Sequence, residues 1–213
     1  MQNISCPSPY FLGRGFDQDI LSKYCVGEYL PKYRLMSGRA VVPVFNHDGT
    51  KVIGASGRLP HSKCLVCCGY HHKRELCPDN EQENFSKQKW IHSKGFQRNN
   101  YLYNLWSAKH WIARQQEVVL VEGPADVWRL EQAGIHNGCA IFGSNVSRQQ
   151  VALLEGLSLR RVITMMDNDE GGDAARASCD RLLASHDITH KIPALNDLGE
   201  MAPQDIKEFY HER

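Results

Sequence analysis

The sequence predicts an α/β protein: an open, mainly parallel sheet with flanking helices, preceded by a small, basic α+β subdomain. Short apolar runs alternate with helical segments through the C-terminal half, whereas the N-terminal half contains a hairpin signal and a Cys/His-rich segment. We therefore expect an N-terminal subdomain over residues 1–115 and an α/β domain over residues 116–213.

The C-terminal half is predicted to contain four strands, each followed by a helix. The strands are expected at 117–123, 139–143, 162–167 and 189–193, and the helices at 124–132, 147–157, 173–184 and from about 202. Pro124 suits a first helical position, Ser147 an N-cap, and Gly171-Gly172 the end of the third strand. Open parallel sheets bind ligands at the carboxyl ends of their strands, so we look for a site there.

The N-terminal half is predicted to contain a hairpin and two helices. Asp17 is expected to cap a short helix that ends near Tyr24. Strands at 39–45 and 51–55 flank a turn in which Asp48-Gly49 is a strong hairpin signal. A helix at 102–114 leads into the first strand of the C-terminal domain.

Composition argues against membrane-spanning and secreted classes of protein. The 213 residues are 42% hydrophobic and 23% charged, which is ordinary for a globular chain. No apolar run approaches the roughly 18 residues of a membrane span, and the N-terminus lacks a signal-peptide pattern. We expect a protein of the reducing cytoplasm, with no membrane partner.

Charge is unevenly distributed although the net charge is only +1. Lys and Arg outnumber Asp and Glu by 16 to 8 over residues 1–116, and are outnumbered by 9 to 16 over the remainder. A basic half joined to an acidic half suits a protein that follows a polyanion and carries out chemistry on it. Chance segregation of surface charge is the alternative.

A cluster of potential metal ligands lies between residues 64 and 77 and comprises Cys64, Cys67, Cys68, His71, His72 and Cys77. One choice has the C-x2-C-x4-H-x4-C spacing of a zinc knuckle, a closed and structural Zn²⁺ site, with ligands Cys64, Cys67, His72 and Cys77. Cys68 could replace Cys67, and His71 could replace His72. A reducing compartment argues against a disulfide. Such a knuckle can bind single-stranded nucleic acid or serve only as a structural clip.

Three acidic residues follow the ends of predicted strands. Glu122 ends the first strand, and Asp167 and Asp169 end the third. Residues two apart on an extended chain point to one face, so the two aspartates are expected to project together. Carboxylates this close repel unless a cation neutralises them, and hard oxygen ligands suit Mg²⁺ or Mn²⁺ bound with substrate phosphates. The sequence therefore predicts phosphate chemistry with a divalent metal.

These acids lie in a pattern that resembles the TOPRIM domain of DnaG-type primases, type IA and type II topoisomerases and several nucleases. The pattern is Glu122-Gly123-Pro124-Ala125-Asp126, the turn Phe142-Gly143-Ser144, and Asp167-x-Asp169-x-Gly171-Gly172, and it covers about residues 116–200. The resemblance implies a TOPRIM-type fold in which Glu122, Asp167 and Asp169 are catalytic and bind Mg²⁺ or Mn²⁺. It implies that Asp126 and Asp197 are further acids near the same metals.

The N-terminal half resembles the catalytic core of bacterial and phage primases. The matching segments are Tyr10-Phe11-x2-Arg14-Gly15-Phe16, Arg39 to Val44, Gly54 to Arg58, and Lys89-Trp90-x2-Ser93-x-Gly95-Phe96 followed by Leu102 to Leu105. In that family this basic subdomain holds the single-stranded template. The resemblance therefore implies nucleic-acid contacts for Arg39, Arg58, Lys89 and Lys94, although ordinary charges on a hairpin rim would give the same pattern.

Two departures from that family stand out. Its separate zinc ribbon and its helicase-related domain have no counterpart in this sequence, and the knuckle lies inside the core between Arg58 and Lys89. The chain thus resembles compact phage or mobile-element primases, which implies the cytoplasm of a bacterial or phage-infected bacterial cell. A replicative helicase supplied in trans is a candidate partner.

The resemblance favours a DNA primase-like nucleotidyltransferase that joins ribonucleoside triphosphates into short RNA primers on single-stranded DNA. A TOPRIM nuclease would use the same acids on DNA or RNA with water as nucleophile, and would not need triphosphates. A non-enzymatic module that loads single strands would tolerate Asp167→Asn. A topoisomerase is disfavoured, because a type IA or type II enzyme needs a tyrosine nucleophile on another large domain, for which this chain has no room.

Overall fold

The computed structural model describes residues 3–31, 35–60 and 88–212. The Cys/His-rich segment lies outside these ranges, so the zinc ligands Cys64, Cys67, His72 and Cys77 remain predictions, as do the alternatives Cys68 and His71. The chain forms two compact units, one of Met1–Val44 with Ile53–Phe96 and one of Phe45–Val52 with Gln97–Arg213. The boundary expected at residues 115 and 116 remains a prediction, and the second unit also takes in the hairpin turn and residues 97–115.

The first sheet has the strand order β1-β2-β3-β4-β5 in the described residues. Its strands are β1 (Ile4–Ser5), β2 (Gly27–Tyr29), β3 (Ala40–Phe45), β4 (Val52–Arg58) and β5 (Trp90–His92). Helices α1 (Pro9–Leu12) and α2 (Gln18–Lys23) connect β1 to β2. The predicted hairpin is confirmed: Asn46 N–H donates to the Lys51 carbonyl at 3.0 Å, and Gly49 has a φ of +78° that glycine adopts without strain.

The second sheet is parallel, with the strand order β7-β6-β8-β9. Its strands are β6 (Glu117–Val121), β7 (Gly138–Ala140), β8 (Arg161–Thr164) and β9 (Asp187–His190). The helices of this unit are α3 (Leu105–Gln115), α4 (Pro124–Gln132), α5 (Arg148–Glu155), α6 (Glu170–Leu182) and α7 (Pro203–His211). Val118 to Val121 are all fully buried, as expected of a central strand covered on both faces.

The core of this unit is formed by apolar side chains from the strands and from the inward faces of the helices. It includes Leu120, Ile141, Leu154, Val162 and Met166. In the ranges that the structure describes, no helix is both long enough and apolar enough to cross a bilayer. The predicted α/β class with a parallel sheet is confirmed.

The junction between β8 and α6 differs from the prediction. The strand ends at Thr164 and the helix begins at Glu170, so neither Asp167 nor Asp169 lies on a strand. The reason is that the Asp169 carboxylate accepts the Gly172 N–H at 2.9 Å and caps the helix. Gly171-Gly172 therefore lies within α6 and does not end β8. Glycine is required at 172, because a Cβ there would overlap the Asp167 carbonyl oxygen.

Candidate active site

Adjacent parallel strands bring Glu122 and Asp167 together. β6 pairs with β8 in a register that sets Leu120 opposite Thr164, so the residues that follow both strands emerge at one edge of the sheet. There the Asp167 N–H donates to Glu122 Oε1 at 3.3 Å. The two acids are half-buried, whereas Asp169 is exposed at the N-terminus of α6.

Glu122 is an acid whose surroundings disfavour its charged form. Burial first, and then the negative charges of Asp167 and Asp169, raise the pKa of Glu122 to about 7. The Asp167 N–H and the Arg176 charge act in the opposite direction. Glu122 can therefore take up or release a proton near neutral pH, as a general base must.

Asp126 is the second acid with a raised pKa. Its Oδ2 accepts the Gly123 N–H at 2.9 Å, which closes the first turn of α4. Burial first, and then the charges of Asp167, Asp197 and Glu122, raise its pKa to about 8. Asp126 thus stabilises the first turn of α4 and also interacts by charge with the neighbouring acids. We call Glu122, Asp126, Asp167, Asp169 and Asp197 the acid cluster.

Asp197 carries a buried oxygen that lacks a hydrogen-bond partner. Its Oδ1 is shielded from solvent and accepts no hydrogen bond from the described residues. The connection that carries it is fixed, because Asn168 N–H donates to the Asn196 carbonyl at 2.9 Å and Arg129 Nη2 donates to the Gly199 carbonyl at 3.4 Å. A buried acceptor without a partner costs about 1–3 kcal/mol, and a bound cation would remove that cost.

The donor set of this cluster consists of carboxylate oxygens, the ligands that Mg²⁺ and Mn²⁺ prefer. Across the described ranges, no three His, Cys, Asp or Glu side chains converge closely enough to hold an ion by themselves. Mg²⁺ commonly takes only one or two protein carboxylates and completes its coordination with water and substrate phosphates. Glu122 and Asp167 fit an ion held in that way.

The four basic residues expected to contact nucleic acid fall into two groups. Arg39 is buried, and its guanidinium donates to the carbonyls of Gly57 at 3.1 Å and of Gln88 and Lys89 at 3.3 Å. Arg58 is also buried, bonds the Leu59 carbonyl, and lies 5.4 Å from the centre of the Tyr10 ring.

Lys89 and Lys94 are exposed. Arg39 and Arg58 therefore donate to main-chain carbonyls within the first unit, whereas the two lysines lie at its surface. Nucleic-acid contacts remain a prediction for all four.

Arg98 is a basic residue near the site that sequence reasoning missed. A Cβ atom placed on Gly143 would lie 3.6 Å from Nη1 of Arg98. The Arg98 guanidinium therefore lies beside the Phe142-Gly143-Ser144 turn that follows β7. Ser144 in turn lies close to Gly171 in the first turn of α6. In the sequence, Arg98 is simply a basic residue between Phe96 and Leu102, and nothing there indicates its contact with the turn around Gly143.

Comparison with known proteins agrees with this geometry. Residues 116–192 match the family model described as the Toprim domain. Residues 116–192 therefore form a Toprim domain. The chain is also similar to bacterial DNA primases: the primase of Geobacillus stearothermophilus is 29% identical over 166 residues, which are 78% of this chain and 24% of that protein. The chain spans about a quarter or less of the length of the curated relatives it matches.

Solved structures show the same fold over both halves of the Toprim-containing chain. The primase of Aquifex aeolicus, solved with its zinc-binding and RNA polymerase domains, matches with a TM-score of 0.67 at 24% identity, over 94% of this chain and 52% of that one. A DnaG primase catalytic domain bound to single-stranded DNA matches with a TM-score of 0.70 at 20% identity, over 94% and 68%. The predicted resemblance to the primase catalytic core is confirmed.

Proposed function

We propose that this chain is the catalytic core of a DNA-directed RNA polymerase of the primase type, which joins ribonucleoside triphosphates into short primers on single-stranded DNA. The observation that carries the proposal is the hydrogen-bonded pair of Glu122 and Asp167 at adjacent strand ends of a Toprim domain. Homology to DNA primases supports the reaction. The fold of a primase catalytic domain bound to single-stranded DNA supports the template.

The acids of the second unit have distinct tasks in this reaction. Glu122 and Asp167 would hold a divalent ion, and Asp169, Asp126 and Asp197 would add negative charge near it. Bound Mg²⁺ or Mn²⁺ supplies activation of the attacking hydroxyl and neutralisation of the leaving pyrophosphate. Glu122, with a pKa of about 7, can instead accept the hydroxyl proton.

The basic residues of the first unit, and the Cys/His segment, serve the template in this proposal. Lys89 and Lys94 are exposed, as phosphate contacts must be, whereas Arg39 and Arg58 are buried and would act by holding the backbone that carries Lys89. A zinc ion held by Cys64, Cys67, His72 and Cys77 would fold the segment around it. The reaction belongs in the cytoplasm, where triphosphates and single-stranded DNA are available.

The test is a gel assay of the purified chain with single-stranded DNA, labelled ribonucleoside triphosphates and Mg²⁺ or Mn²⁺. The proposal predicts short labelled RNA products that need both the template and the metal. A parallel reaction without triphosphates, with labelled DNA, should leave the DNA intact. Shortened DNA in that reaction, with no RNA product in the other, would favour a nuclease and contradict the proposal.

A further inference from the structure

Helix α6 buries an arginine on the face that otherwise buries small residues. Arg176 is 7% exposed and lies among Gly172, Ala175 and Cys179, which are also buried. A cation in the second turn of a helix opposes the helix dipole. A buried charge also costs free energy unless hydrogen bonds compensate it. The position therefore needs an explanation beyond packing.

The contacts of Arg176 are directed at the connection between β8 and α6. Its Nη1 donates to the carbonyl of Asp167 at 3.1 Å and to that of Met166 at 3.4 Å, and its Nη2 donates to Asp173 Oδ1 at 2.7 Å. Gly172 makes the approach possible, because a Cβ there would overlap the Asp167 carbonyl and lie 3.1 Å from Arg176 Nη1. One guanidinium thus fixes the main chain on the carbonyl side of Asp167.

The amide side of Asp167 is fixed by the acid cluster itself. Its N–H donates to Glu122 Oε1 at 3.3 Å, so the residue is held between the end of β6 and the inner face of α6. Arg176 also lowers the pKa of Glu122 through its positive charge. Arg176 therefore acts on both proposed metal ligands, on Asp167 through its main-chain carbonyl and on Glu122 through its charge.

We propose that Arg176 is a positioning residue for the acid cluster: it holds Asp167 so that its carboxylate and that of Glu122 face the same divalent ion. This inference rests on the proposed function. This role accounts for a buried cation in α6 whose hydrogen bonds go to the carbonyls of Met166 and Asp167, before the helix begins.

The test is calorimetric titration of the metal-free chain with Mn²⁺, together with thermal unfolding in EDTA. Arg176→Met should weaken Mn²⁺ binding about 10-fold, the usual loss when a residue that orients a metal ligand is removed. Arg176→Lys should lose less, about 3-fold, because an ammonium keeps the charge but cannot bond both carbonyls and Asp173.

Two control variants separate the positioning of Asp167 by Arg176 from the loss of a positive charge on α6 and from the loss of the ion pair with Asp173. Arg181→Met, at an exposed position on the same helix, should bind Mn²⁺ like the wild type. Asp173→Asn should also stay within about 2-fold, since the contacts to the two carbonyls remain.

Wild-type Mn²⁺ affinity in Arg176→Met would overturn the inference alone. If that variant does not fold in EDTA, Arg176→Lys decides, and wild-type affinity in it has the same meaning. A wild-type chain that binds no Mn²⁺ would overturn the proposed function together with the inference.

Discussion

The backbone N–H of Asp167 donates to Glu122 Oε1 at 3.3 Å, which joins two acids 45 residues apart in the sequence. The contact exists because β6 and β8 are neighbours in the parallel sheet and end at the same edge. It uses one oxygen of Glu122 and leaves the other for a ligand. Burial, and then the negative charges of the neighbouring acids, raise the pKa of Glu122 and of Asp126, so a proton or a cation is needed to compensate their charge.

The close approach of Gly172 to Asp167 predicts that Gly172→Ala destabilises the chain. The added methyl would overlap the Asp167 carbonyl oxygen, and overpacking of this kind costs about 1–3 kcal/mol. Gly156→Ala is the matched control: its Cβ would meet nothing closer than 3.9 Å, and its φ is −69°. Urea unfolding of both variants checks this, and equal stability of the two would contradict the packing described for Gly172.

The raised pKa values of Glu122 and Asp126 predict how stability depends on pH without metal. Both values, about 7 and about 8, lie above those of an unfolded chain, so the folded state binds more protons between about pH 4 and 8. Their contribution to the free energy of unfolding is present at low pH and is lost as the pH rises through their pKa values in the folded state. In EDTA, the free energy of unfolding should fall by at least about 2 kcal/mol between pH 5 and pH 8, because both carboxyl groups lose their protons over that range.

Two further measurements check the origin of that pH dependence. Asp126→Asn should flatten the profile, because the amide does not titrate. Mg²⁺ should stabilise the wild type more at pH 8 than at pH 5, since protons compete with the metal for the same oxygens. A profile that rises from pH 5 to pH 8 in the wild type and is unchanged in Asp126→Asn would show that these carboxylates are not the cause.

Lys94 is exposed in the first unit and is predicted to contact template phosphate. Lys94→Ala should weaken binding of single-stranded DNA and reduce the slope of log affinity against log salt by about 0.7, the effect of losing one phosphate contact. Lys207→Ala, at an exposed position on α7, should leave that slope unchanged. Fluorescence anisotropy at several salt concentrations measures it, and equal slopes for the two variants would remove Lys94 from the DNA path.

The proposed zinc ligands can be checked by metal content. Cys64→Ser should lose the bound zinc that the wild type carries, because a hydroxyl is a poor replacement for a thiolate ligand. Cys6→Ser, which changes a cysteine outside the proposed set, should retain it. Zinc released by denaturation and measured with a chromogenic chelator distinguishes the two, and a full complement in Cys64→Ser would refute this ligand set.

Much of the second unit follows from local signals in the sequence. Helix α4 begins at Pro124 and ends at Gln132 as predicted, because proline suits the first turn and Gly134 lies just beyond the end. Ser147 caps α5 as predicted by accepting the Gln150 N–H at 3.1 Å. The proximity of Glu122 and Asp167 also follows, since alternating strands and helices place the segments after neighbouring parallel strands at one edge of the sheet.

The remaining features depend on contacts that local patterns do not encode. Met165 and Met166 continue the apolar run of β8 and are buried, but they lie outside the strand. The buried apolar segment is therefore longer than the hydrogen-bonded strand, and hydrophobicity alone does not locate the end of β8. Arg39 is buried because it reaches carbonyls about 50 residues away in the chain. Asp169 caps α6 instead of extending β8, a choice that depends on how closely Gly172 packs on Asp167.

The most direct test of the account measures primer synthesis and DNA binding side by side for Asp167→Asn. The acid pair is proposed to act in catalysis, so the variant should lose at least about 100-fold in synthesis while its affinity for single-stranded DNA stays within about 2-fold. Glu155→Gln, an exposed acid on α5, should behave like the wild type in both measurements. Undiminished synthesis in Asp167→Asn, or equal loss of synthesis and binding, would contradict the catalytic role of the Toprim acids.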